Sequence, residues 1–182
     1  MSSYSKREIM SMEDEEICQA VYEKIGEVED VLDVGCGDGY LVNCLSSELD
    51  KEVLGCDIPD ESFDEAHSKC EEFGTCEKIE CIMGDAHDTS DIFAENSFDV
   101  ITLIYSLHHL EEPVKVLKQI KEVLKENGKV VIGDFWFTER KEKGGCYRFT
   151  PEEIKAMVKK AGFKYLGQDR IDKEFTILVG EK

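Results

Sequence analysis

No apolar run in this sequence is long enough to cross a bilayer. The longest, VITLIYSL at 100–107, is strand-sized, against the roughly 18–20 residues a membrane helix needs. The N-terminal MSSYSKREIM has no apolar core of the kind a secretory leader carries, so a cytoplasmic, membrane-free protein is expected. Basic charge is scarce too. Twenty-two Lys and Arg against 41 Asp and Glu leave a net charge of −19, a field that repels polyphosphate backbones and argues against nucleic acid as a partner. One local exception is the cluster Arg140, Lys141, Lys143 and Arg148, ahead of Lys155, Lys159 and Lys160; a solvated loop and helix face is expected there rather than an anion site. The eight cysteines include no C-x-x-C pair and no Cys/His cluster at zinc-finger spacing. Several fall in predicted strands or on apolar helix faces, which predicts small reduced hydrophobes, no metal site and no disulfide framework.

What remains is a chain of 182 residues, 41% hydrophobic and 35% charged, enough for one domain with a full core. Internal repeats and domain-sized linkers are absent. Residues 1–28 form an N-terminal segment and helix, a candidate cap or lid, and 29–182 a single domain. The helical pattern over 12–28 places Ile17, Ala20, Val21, Ile25 and Val28 on one face. Strands and helices then alternate: VLDVG, YLVNCLSSEL, EVLGCD, ESFDEAHSKCEEFG, KIECIMGD, FDVITLIYS, PVKVLKQIKEVLKENG and KVVIGDFWF. Pro113 opens the long helix and Asn127-Gly128 is expected to stop it. TERKEKGGCYRF is expected as a polar loop, and TPEEIKAMVKKAGF carries a capping box in Thr150, Pro151 and Glu153. KYLGQDRI and EFTILVGEK close the chain as two strands with little between them, hence an antiparallel pair. Apolar strands alternating with helices predict an α/β fold, its parallel sheet covered on both faces and its ligand site at the strands' carboxyl ends.

The stretch VLDVGCGDGY places Gly35, Gly37 and Gly39 at such an end. A dinucleotide loop of the G-x-G-x-x-G type asks for Gly at position 40, which is Tyr. The spacing here is G-x-G-x-G, with Asp33 inside the strand ahead of it. A carboxylate so placed repels a pyrophosphate and suits a ligand's ammonium group. Its competing role is to cap the loop's own amides.

At LDVGCGDG the chain resembles the class I S-adenosylmethionine-dependent methyltransferases, specifically the small-molecule type with a UbiE-like, methyltransferase type 11 core. GCDIPDESFDEA, MGDAHD, NSFDVITLIYSLHHLEEP and LKENGKVVIGDF resemble that family's next four motifs, in order, and RFTPEEIKAMVKKAGF its penultimate helix. The resemblance covers about residues 28–182. It implies a three-layer Rossmann-like sandwich on a mostly parallel seven-stranded sheet with an antiparallel last strand. It also implies S-adenosyl-L-methionine as cofactor and S-adenosyl-L-homocysteine as product. Cofactor contacts would come from Asp33, Gly35, Cys36, Gly37, Gly39, Asp57, Ile58, Asp85, Ala86 and Tyr105. Asp57, eighteen residues past Gly39, would take the ribose hydroxyls, and Asp85 with the backbone of Ala86 would face the adenine. Asp57 and Asp85 each also suit a turn.

Methyl transfer from a sulfonium is an in-line displacement, so the protein's work is alignment and exclusion of water, with a base only where the nucleophile holds its proton. Tyr105 is the candidate for orienting the acceptor, and Asp134 or His108 for base. For the His108-His109 pair a purely structural role competes. Trp136 is either an aromatic wall for the acceptor or core packing; Cys146 and Tyr147 are further substrate candidates. The expected acceptor is a small molecule, the chain a monomer or homodimer, with a partner protein that completes the site left open. Three alternatives stand beside this: an S-adenosylmethionine-binding sensor or non-catalytic subunit, a thiol or arsenite methyltransferase, and a nicotinamide oxidoreductase, which Tyr40 argues against.

Overall fold

The computed structural model describes residues 14–58, 65–135, 141–143 and 146–182. Seven strands form one sheet: β1 (Val31–Val34), β2 (Val53–Asp57), β3 (Ile79–Met83), β4 (Phe98–Ile104), β5 (Leu124–Phe135), β8 (Lys164–Arg170) and β9 (Phe175–Glu181). A short antiparallel pair, β6 (Lys141–Lys143) and β7 (Cys146–Arg148), stands apart from it. The helices are α1 (Asp14–Ile25), α2 (Tyr40–Leu49), α3 (Glu65–Phe73), α4 (Thr89–Ile92), α5 (Pro113–Val123) and α6 (Pro151–Lys160). In space the strands run β3-β2-β1-β4-β5-β9-β8. β1 to β5 pair in parallel, and β9 lies antiparallel between β5 and β8. This is the expected sheet, with the strand order reversing between β1 and β4. The carboxyl ends of those two strands, at Gly35 and Tyr105, therefore flank the crevice where such sheets bind ligands.

Strand residues alternate between two cores. On one face Val31, Val53, Val100 and Val131 pack with Ile17 and Val21 of α1 and Val42 and Leu45 of α2. On the other, Leu32, Ile101, Leu103 and Ile132 meet Leu117 and Ile120 of α5 and Ile154 and Val158 of α6. α1 is thus part of the core from Asp14 onward, and a Lys24–Asp169 ion pair of 2.6 Å ties it to β8. Residues 1–13 lie outside the described residues. The capping box is present: Thr150 N–H donates to Glu153 Oε2 at 2.8 Å, and Glu153 N–H returns a bond to Thr150 Oγ1 at 3.3 Å.

Three expectations need correction. α5 ends at Val123, not at Asn127-Gly128: Leu124 is extended, fully buried and paired with Phe98, so β5 begins there, with Asn127 left-handed (φ 64°) before the main ladder. The segment taken for a polar loop contains the β6–β7 hairpin, its strands two residues apart in sequence, a hairpin spacing. Cysteines are also paired, Cys18 with Cys44 and Cys70 with Cys76. Cys18 and Cys44 lie on the buried faces of α1 and α2, which pack together. Local spacing cannot reveal that contact, because the two helices meet only in the fold.

Candidate active site

At the end of β1 the chain takes a left-handed conformation at each of the three glycines, with φ of 79° at Gly35, 52° at Gly37 and 71° at Gly39. L side chains disfavour that region. Gly35 is also walled in. A Cβ there would overlap the Cβ of Ser106 and stand 3.0 Å from its Oγ, while that hydroxyl donates to Val34 O at 3.0 Å. Gly37 is the opposite case: a Cβ there would meet nothing within 4 Å. The same three-glycine pattern thus serves a tight packing contact at its first position and an open surface at its second.

The loop is bound to β2. Gly35 N–H donates to Cys56 O at 2.7 Å. Gly37 N–H donates to Asp57 Oδ2 at 2.7 Å, and Ile58 N–H to Asp57 Oδ1 at 2.7 Å. The structure therefore brings Asp57 directly to the glycine loop. Gly39 precedes the first turn of α2, where Tyr40 N–H donates to Asp38 Oδ1 at 3.1 Å, and Lys69 of α3 pairs with Asp38 at 2.8 Å. Asp33 is buried beneath, accepting from Thr102 Oγ1 at 2.6 Å. Burial pushes its carboxyl up to about 7, the nearby Asp57 adds to the rise, and the Thr102 bond opposes it. Asp33 thus bonds a side chain of β4 and does not cap the loop's own amides.

Further along the same rim, Asp85 caps the turn at 86–88, accepting from His87 N–H at 2.9 Å and lying 2.7 Å from His87 Nδ1. These bonds hold its carboxyl below the usual range. Ala86 packs partly into the core. Ile58 and Met83, at the ends of neighbouring strands, are 54% and 66% exposed, an apolar edge beside Asp57 and Asp85.

The opposite half of the crevice is made by β4, β5 and β9. Tyr105 is left-handed (φ 54°), its N–H donating to Gly133 O at 2.8 Å. A bulky residue there is strained, and such strain clusters at functional sites. Its ring packs on Phe135 and Phe175 at 4.7 and 4.9 Å, and its buried hydroxyl has no hydrogen-bond partner. Burial, with Asp172 and Asp134 nearby, raises the phenol above its ordinary range. One turn on, His108 Nδ1 lies 2.8 Å from Asp134 Oδ1, both side chains about 5% exposed or less. Phe135 N–H donates to the same oxygen at 2.7 Å, whereas Asp134 Oδ2 has no partner. The two residues named separately as base candidates form one dyad. His109 stacks beside it at 4.2 Å.

Arg148 departs from the solvated loop expected for it. It is 6% exposed, its guanidinium 3.9 Å from the centre of the Phe135 ring, while His108 faces that ring at 5.4 Å. The sequence signal was available, a basic residue next to an aromatic at the end of a hairpin, but only the fold places it against β5. Ser106 and Thr102 were also missed as parts of the loop's support. Trp136 lies outside the described residues, as do the side chains of Cys146 and Tyr147, whose backbone forms β7.

The sequence pattern of the family described as Methyltransferase domain matches residues 32–132. The chain is 31% identical over 109 residues to the uncharacterized methyltransferase YcgJ of Bacillus subtilis, covering 60% of this chain and 42% of that one. It is 34% identical over 100 residues to a ubiquinone biosynthesis O-methyltransferase of Idiomarina loihiensis, covering 55% and 40%. The match thus spans about two fifths of the length of these curated relatives. A SAM-dependent methyltransferase structure from Aquifex aeolicus superposes with a TM-score of 0.76 at 23% identity, covering 90% of this chain and 88% of that one, which shows the shared fold. With its motifs in order on the expected sheet, this chain belongs to the class I S-adenosylmethionine-dependent methyltransferase family.

Proposed function

We propose that the protein methylates a hydroxyl group of a small acceptor, using S-adenosylmethionine. The observation that carries this reading is the buried His108–Asp134 dyad, set across the switch point from the glycine loop. The cofactor half fits a ligand with a cationic amino-acid head and a nucleoside tail. Gly37 leaves backbone open to close approach. Asp33 suits the ammonium, Asp57 the ribose, and Ile58 with Asp85 and Ala86 the base. Asp57 and Asp85 make an acidic rim above the buried Asp33, hostile to a pyrophosphate and favourable to a cation. When bound, S-adenosylmethionine supplies an electrophilic methyl group on a sulfonium.

The chain's own residues do the rest. A carboxylate at Asp134 can only accept, so Nδ1 of His108 carries the proton and Nε2 is left to accept one. His108 takes the acceptor's hydroxyl proton at Nε2, and Asp134 holds the ring in that tautomer and steadies the imidazolium. Tyr105 donates its phenolic hydrogen to orient the acceptor. Arg148 offers positive charge near the oxyanion, across the Phe135 ring. Phe135 and Phe175 exclude water, which strengthens each of these interactions.

Transfer of a labelled methyl group to a panel of phenolic and enolic hydroxyls, amines and thiols tests the reading. Labelling of hydroxyl acceptors is expected, with turnover lost and cofactor binding kept in His108→Asn. Labelling of amines or thiols alone, or undiminished turnover in the variant, contradicts it.

A further inference from the structure

Outside the dyad and the glycines, among the described residues, two free thiols stand close to each other, those of Cys36 and Cys81. Cys36 lies within the glycine loop, and its side chain leans over Gly55 of β2. A Cβ on Gly55 would stand 2.9 Å from Cys36 Sγ and 3.1 Å from its Cβ. Gly55 pairs with Cys81 of β3. Residues paired across a parallel ladder point to the same face, so Cys81 stands one strand beyond the gap that Gly55 leaves, packed against the same core cluster that holds Cys36. Cys56, the other thiol nearby, sits in the opposite core with its Sγ 3.7 Å from Gly84 O.

We propose that Cys36 and Cys81 are a redox modification site, a dithiol that a peroxide converts to a disulfide across Gly55, tethering the cofactor loop to β3. The two partners are unequal in the way such a reaction needs. Cys36 is 7% exposed and Cys81 is only partly buried, so an oxidant reaches Cys81 first. Interaction with Cys36 holds the Cys81 thiol below its ordinary range, and the same interaction, with burial and Asp33, raises that of Cys36. The Cys81 thiolate attacks the peroxide O–O bond, giving a sulfenic acid and releasing hydroxide. The Cys36 sulfur then displaces the sulfenic oxygen, its proton leaving with that oxygen as water. Two thiols and one hydrogen peroxide become one disulfide and two waters, and an added dithiol reverses the change.

A disulfide brings its sulfurs to about 2.05 Å, closer than any thiol hydrogen bond. Cys36 must therefore move toward β3 while its neighbours stay fixed, Gly35 against Ser106 and Gly37 on Asp57. The loop distorts where the cofactor approaches. This consequence rests on the cofactor reading given above, whereas the dithiol itself does not.

The experiment oxidises the folded full chain with hydrogen peroxide, blocks remaining thiols with N-ethylmaleimide and maps the peptides by mass spectrometry without reduction. In parallel, S-adenosylhomocysteine is titrated into oxidised and dithiol-treated protein by calorimetry. A linked Cys36–Cys81 peptide is expected, with affinity lowered about tenfold or more on oxidation and restored by dithiol. In Cys81→Ser, peroxide should change neither the map at Cys36 nor the affinity. Recovery of both cysteines as alkylated monomers overturns the proposal, as does a linked pair with unchanged affinity. If the linked pair forms and S-adenosylhomocysteine binds neither state, the dithiol stands and the cofactor reading fails.

Discussion

The glycine-loop half of the crevice and the half beneath β4, β5 and β9 are held by different means. In the first, backbone groups do most of the binding: amides of Gly35, Gly37 and Ile58 converge on Cys56 and Asp57, and left-handed glycines shape the path. In the second, side chains recognise one another: Tyr105 packs on two phenylalanines, His108 meets Asp134, and Arg148 covers Phe135. A backbone site depends on a few residues that lack a side chain, so it tolerates little change in type at those positions. A side-chain site can be altered one function at a time. The division matches the chemistry proposed, with a cofactor gripped by a backbone frame and an acceptor handled by side chains.

Four substitutions press on this division. The largest effect is expected from Gly35→Val, where overlap with Ser106 adds to left-handed strain and costs about 3–5 kcal/mol. Urea unfolding monitored by circular dichroism should show a severely destabilised or unfolded chain. Gly37→Val has free space around it and should cost only the backbone strain, about 1–2 kcal/mol, yet abolish cofactor binding in calorimetry. Normal binding by Gly37→Val would mean that the open face of the loop is not the ligand's. On the other side, His108→Asn should leave cofactor affinity within about twofold while turnover falls about 10²–10⁴-fold, the span of general-base catalysis. Loss of both together would merge the two halves into one.

The last comparison concerns pH. Asp33 has its carboxyl raised from 3.8 to about 7 by burial. Between about pH 4 and 7 the native state keeps a proton that the unfolded chain gives up, so this residue makes stability fall as pH rises through that window and levels off above it. Asp33→Asn, which keeps an acceptor for Thr102, should flatten that slope in urea titrations run at pH 4.5, 6 and 8. An unchanged slope would place the titration elsewhere.

Legibility in the sequence follows the same line. The alternation of strands and helices, the antiparallel β9 and the position of the glycine loop were readable because apolar periodicity, Gly spacing and short connections are local signals. Asp57 could be placed against the loop because β1 and β2 are parallel neighbours in register, Val34 opposite Cys56. The dyad was only half legible. His108 and Asp134 each stood at a strand's carboxyl end, but their contact depends on the lateral pairing of β4 with β5 and on the turn at 107–109. Arg148 and the Cys18–Cys44 pair escaped for a related reason. Each is made by two elements packing side by side, and neither residue's own neighbours in sequence record the partner. The early end of α5 was missed because Asn127-Gly128 supplies a good stop signal, while the strand pairing of Leu124 ends the helix before it is reached.

Titration calorimetry of the full chain, its Cys18–Cys44 and Cys70–Cys76 disulfides intact, with S-adenosylmethionine, S-adenosylhomocysteine and NADH tests the cofactor assignment most directly. Micromolar binding of the first two with no heat from NADH, and loss of both in Gly37→Val, is the predicted result. Binding of NADH alone, or silence from all three ligands, would contradict it.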